Sequence, residues 1–98
     1  KQTRQLLTQE HDFKRIIQYE DKERLLNRLH GLIDGKGGAD VGAVLLNARM
    51  NNLLTRNPTR NEFENEFELI GSWSAISNYM SDNNANALDR ANKIIIFS

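Results

Sequence analysis

Cysteine is absent from this 98-residue chain. That removes any disulfide framework and any thiolate metal site. Proline occurs once, and aromatic residues make up only 7%. Charge of one sign is also missing, because 13 Lys and Arg balance 13 Asp and Glu. No apolar run approaches the roughly 18 residues of a membrane-crossing helix, so membrane association is not expected. The metal-ligating stock is two histidines and the carboxylates. A length of 98 residues implies one domain. The chain opens on Lys1, which leaves room for a segment upstream. A cytoplasmic setting is the expectation.

The zero net charge conceals an asymmetry. Residues 1–60 carry 11 basic and 7 acidic side chains, and residues 61–98 carry 2 and 6. The front is +4 and the back −4, a dipole able to orient the domain or pair two copies head to tail. Asparagine is heavily used, with twelve residues in all, including the pairs Asn51-Asn52 and Asn83-Asn84.

Every periodic stretch reads as helix. A first helix is predicted over 3–18, with Leu6, Phe13 and Ile17 on one stripe. A second covers 21–34, with Leu25, Leu29 and Leu32 aligned, Asp21 as N-cap and Gly35 as C′ residue. Gly35-Lys36-Gly37-Gly38 is a loop, and Asp40 is the expected N-cap of a third helix over about 40–56. That helix is apolar on two sides: Val41, Val44, Leu45 and Ala48 on one, Ala43, Leu46, Met50, Leu53 and Leu54 on the other. Such a helix belongs between neighbours, at the centre of the domain. Thr59-Arg60-Asn61-Glu62 fits a capping box and starts a fourth helix at Arg60. The apolar face turns after Gly71, which predicts a kink or break at Gly71-Ser72. A last helix spans about 84–95. The expected fold is all-α, a compact bundle of five or six short helices around the central one, forming a single domain over 1–98.

Chemistry is sparse. His11 and His30 lie on polar helix faces without a second histidine one turn away, so no metal or cofactor is expected. Glu62, Glu64, Glu66 and Glu68 alternate along the fourth helix. No Glu-x-x-His accompanies them, which sets aside a di-metal bundle. The glycine loop lacks phosphate-loop spacing and follows a helix rather than a strand. The segment 67–80 has a helix-turn-helix outline, but Glu66, Ser72 and Ser77 stand where apolar residues are needed and its second helix has no Arg or Lys. No nucleophile stands near a base in sequence.

A non-enzymatic module for protein–protein interaction or self-association is therefore the expected function. Its partner would be another protein or a second copy. Trp73, Tyr79 and Phe97 are its candidate anchors, since aromatic side chains dominate interface energetics. The alternative is a nucleic-acid-binding or regulatory module with a basic front face. Lys36, Arg49, Arg56 and Arg60 would contact backbone phosphates. That alternative needs the four cations on one face and the glutamate strip turned away.

Overall fold

A computed structural model of the chain describes residues 12–96. The architecture is all-α, and a buried central helix organises it. Asp12 accepts from the Lys14 N–H and starts a short 3-10 turn over Phe13–Ile16. The backbone is extended by Ile17, which forms an isolated antiparallel bridge with Leu54. Within the described residues, the helix predicted over 3–18 is reduced to this one 3-10 turn. The Gln18 N–H donates to the Leu53 carbonyl at 2.9 Å, and the Thr55 N–H to the Ile16 carbonyl at 2.7 Å. A neighbouring segment satisfies these groups instead of a helical turn. Leu6 and His11 lie outside the described residues.

Helix α1 covers Lys22–Ile33. Asp21 caps it by accepting from the Arg24 N–H at 3.1 Å, and Leu25, Leu26, Leu29 and Ile33 bury its inner face. Gly35 follows at φ +77°, the left-handed C′ position expected of it.

Helix α2 covers Gly38–Met50, and every residue from Val41 to Ala48 is buried. Both ends differ from expectation. Gly37 occupies the N-cap with no side-chain bond. Asp40 instead lies in the first turn, where the helix dipole favours an anion, and accepts from Arg90 at 3.1 Å. At the other end the helix stops at Met50 rather than continuing to Arg56. Asn52 adopts φ +61°. The Leu53 N–H turns back to the Ala48 carbonyl, and the Asn52 N–H to that of Arg49. This is a Schellman closure with asparagine in the place glycine usually holds. Leu54 consequently reaches the core from an extended segment, not from a helix face.

Helix α3 covers Arg60–Glu66 and carries the expected capping box. The Glu62 N–H donates to Thr59 Oγ1 at 3.2 Å, and the Thr59 N–H donates to Glu62 Oε1 at 2.9 Å. Arg56 closes on the same carboxylate with both guanidinium ends, at 2.7 and 2.8 Å. Glu62 is only 3% exposed. The Arg56 fork holds its carboxyl down against the opposing effect of burial, and the Thr59 N–H adds to the lowering, to about 2.

The break expected at Gly71-Ser72 is present and wider. Residues 67–72 are non-helical, with Gly71 at φ +79°. Helix α4 covers Trp73–Tyr79, capped by Ser72. Helix α5 covers Ala85–Asn92, capped by Asn84, and ends three residues before the predicted boundary. Beyond it Ile96 turns back into the core.

Helices α1, α4 and α5 all pack on α2. The closest approach is α4 on α2. A Cβ on Gly38 would lie 2.6 Å from the Ala75 Cβ. One on Gly42 would lie 2.5 Å from the Tyr79 Cβ and 2.7 Å from the Ile76 carbonyl oxygen. Glycines four apart share a helix face, so this face is open enough for the backbone of α4 to rest on it. An aromatic row fills the space below: Phe13 meets Phe67 edge-on at 5.2 Å, Phe67 stacks on Phe63 at 5.2 Å, and Phe63 meets Trp73 at 5.7 Å.

Two outcomes follow. Gly42→Ala should destabilise the domain by about 2 kcal/mol, because overpacking against backbone outweighs the ~1 kcal/mol gained in helix propensity. Gly31→Ala, in a helix with open space around it, should stabilise by up to ~1 kcal/mol. Urea midpoints shifting in opposite directions check the pair. Glu62, lowered in the folded state to about 2 from an ordinary 4.5, stabilises the fold above pH 4.5. That contribution, about 3 kcal/mol, should fade as pH falls from 4.5 towards 2. Glu62→Gln should flatten the acid limb of a stability–pH curve.

Candidate functional site

The aromatic anchors anticipated from sequence do not form one patch. Trp73 opens α4 and Tyr79 ends it, six residues apart, so they project about 120° from one another. Trp73 is half-buried on the main core beside Phe63. Tyr79 packs with Leu46, Ala87 and Ala91 in a smaller cluster, where the Arg90 guanidinium stands 5.9 Å from its ring centre. Phe97 lies outside the described residues.

The four cations of the alternative reading are distributed over separate elements. Lys36 sits in the α1–α2 connection and lines a cleft with Asp40, Asp89, Arg90 and Lys93. Arg49 donates from α2 to the Met80 carbonyl at 3.2 Å. Arg56 is clamped on Glu62, and Arg60 meets Glu64 at 3.1 Å. Two members of the glutamate strip therefore neutralise two of the four cations instead of turning away from them. A third, Glu66, lies 2.6 Å from His30 Nε2. The residues 67–72 separating α3 from α4 are too many for the tight turn of a helix-turn-helix.

Two concavities stand out. The first, about 780 Å³, lies between the α1–α2 connection, α2 and α5. Its charges are largely closed among themselves, Arg90 on Asp40 at 3.1 Å and Lys93 on Asp89 at 3.3 Å. The second, about 530 Å³, lies where α2 ends and the C-terminal tail passes. Met50, Leu53, Ile94 and Ile95 supply its apolar lining, and Asn47, Asn51 and Asn92 supply amides. Met50 is 47% exposed and Ile95 63%, two of three large hydrophobic residues so exposed among the described residues, with Ile70 the third.

This groove is built by hydrogen bonds to the tail. Asn47, itself buried, donates its amide to the Ala91 and Ile94 carbonyls at 2.8 and 3.2 Å. Arg28 of α1 donates Nε to the Ile96 carbonyl at 2.6 Å and its Nη2 to that of Ile95 at 3.3 Å. With its backbone held on both sides, the tail buries Ile96 and leaves Ile95 outward. The sequence pattern puts Met50 on an apolar side of the central helix and Ile95 at the end of a last helix over 84–95. The overlooked signal was Asn51-Asn52, since asparagine tolerates the left-handed conformation that ends a helix.

His30 is placed more specifically than a solvated histidine. Its Nδ1 lies 3.0 Å from both Asp34 oxygens, and its ring stands 4.5 Å from the Phe67 ring. Among the described residues no cluster of three or more His, Asp or Glu has the geometry to hold a metal ion, and no helix is long and apolar enough to cross a membrane. No protein-family model, curated protein or solved structure matches the chain.

Proposed function

We propose that the domain is a non-enzymatic protein-interaction module, working in the cytoplasm, that binds another protein or a second copy of itself through the groove beside Met50 and Ile95. The observation that carries this reading is the pairing of these two exposed apolar side chains in one concavity. Exposed apolar area of this kind gains free energy when covered. The amides of Asn47 and Asn51 are tied up within the fold, so the groove's floor is neutral and covering it need not cost a charge's hydration. A cytoplasmic setting fits a cysteine-free chain, which has no bond to form in an oxidising compartment.

The second copy is the partner to test first. Sedimentation equilibrium between about 10 and 500 µM should show a weight-average mass rising above 11.3 kDa. This range brackets the weak affinities expected of a small interface. Ile95→Glu, on an exposed side chain, should leave the fold intact and return the mass to that of the monomer. A photo-crosslinking residue at position 95 should capture partner protein more often than one at Lys22. A monomeric mass throughout, together with equal crosslinking from the two positions, would overturn the proposal.

A further inference from the structure

His30 stands in the last turn of α1, with a carboxylate at each ring nitrogen. Asp34, on its own helix, meets Nδ1 at 3.0 Å, and Glu66, the last residue of α3, meets Nε2 at 2.6 Å. A neutral imidazole has one N–H and one lone pair. It can donate to only one of these carboxylates and must turn a lone pair towards the other. The observed geometry is satisfied on both sides only by the doubly protonated ring. The end of α1 also favours a cation there, through the partial negative charge of its free carbonyls.

We infer that His30 is a pH-operated clasp, which as imidazolium ties the Glu66–Phe67 corner to α1 through two charge-assisted bonds and on losing a proton keeps at most one neutral bond and loosens its hold. The corner matters because Phe67 is a hub of the aromatic row. Its ring touches Phe13, Phe63 and His30 itself. Its N–H closes the last hydrogen bond of α3, to the Phe63 carbonyl at 2.7 Å. The non-helical segment 67–72 begins there and leads to Trp73. Two short elements therefore depend on one attachment point.

The charged groups around the ring agree on direction. Burial opposes the imidazolium, but hydrogen bonds and charge from Glu66 and Asp34 outweigh it and hold the pKa above the ordinary 6.5. From the 3-10 turn, Lys14 acts on Glu66 at longer range while its ammonium pairs with Glu23 at 2.6 Å. A group whose folded pKa is raised stabilises the fold fully below its unfolded value and loses that contribution as pH rises through the folded one. The clasp is thus tight below about pH 6.5 and loosens on the alkaline side, opposite in sense to the Arg56–Glu62 contact.

The test follows the His30 ring nitrogens and the Phe67 amide by NMR on the full chain between pH 5.5 and 8.5, with His11→Gln to assign the two histidines. The expected result is a His30 midpoint above 6.5, with both ring nitrogens protonated at pH 6. Protection of the Phe67 amide, corrected for base-catalysed intrinsic exchange, should fall roughly three- to tenfold across that same midpoint, the size of one partly exposed charge-assisted hydrogen bond. In Glu66→Gln the midpoint should drop and the step in protection vanish. A wild-type midpoint at or below 6.5 would overturn the inference. So would Phe67 protection that shows no step where His30 titrates. Both readouts come from the wild-type chain, so the outcome does not depend on whether the Glu66 variant folds.

Discussion

The contact between the backbone of α4 and the glycine face of α2 is the constraint on which the rest of the arrangement depends. Gly38 and Gly42 place no side chain of α2 between the two helices, and the Ala75 and Tyr79 Cβ atoms and the Ile76 backbone occupy the space. A seven-residue helix such as α4 has little stability of its own. It persists because this close seat lets Ile76 and Met80 enter the core. With α4 in place on one side, α1 and α5 cover the others. An eight-residue buried stretch in α2 then becomes affordable, even though it includes the polar Asn47. Asn47 is tolerated because its amide bonds the end of α5 and the tail.

Electrostatics does a second, more local job. The neutral chain closes many of its charges internally: Arg56 on Glu62, Arg60 on Glu64, Arg90 on Asp40, Lys14 on Glu23. Most of these pairs are exposed and add little to stability. The Arg56–Glu62 contact differs because its carboxylate is buried and also completes a helix cap. The +4 and −4 halves of the sequence therefore partly cancel across the fold, as Arg56 and Arg60 from the front meet Glu62 and Glu64 from the back. What remains distinctive on the surface is apolar, at Met50 and Ile95, and this is why a protein-binding reading is preferred to one built on free cations.

Much of the fold was legible from residue order. Asp21, Gly35, Thr59 with Glu62, and Gly71 each act locally through a cap or a left-handed turn, and each does what its chemistry predicts. The central helix was legible because apolar residues on two sides leave it little solvent face. The misplaced boundaries have non-local causes. Residues 17–18 are extended and not helical because residues 53–55 satisfy their backbone groups. Asp40 does not cap α2 because the helix begins two residues earlier, at Gly38, which packs against Ala75 of α4; Asp40 then falls in the first turn, where Arg90 pairs with it. Asn52 ended α2 early by a conformation that only a minority of asparagines adopt. The candidate site was less legible still. Exposure of Met50 and Ile95 follows from those boundaries, and of the two carboxylates at His30 only Asp34 is local, while Glu66 lies thirty-six residues away on another helix.

The central claim is the side-chain-free seat of α4 on α2, and a nuclear Overhauser spectrum of the full chain tests it most directly. The α protons of Gly42 should give strong cross-peaks to the β protons of Tyr79, and those of Gly38 to the Ala75 methyl. If these cross-peaks are missing while α2 and α4 are both helical by chemical shift, the two helices do not meet through their glycine face, and the packing described around α2 is wrong.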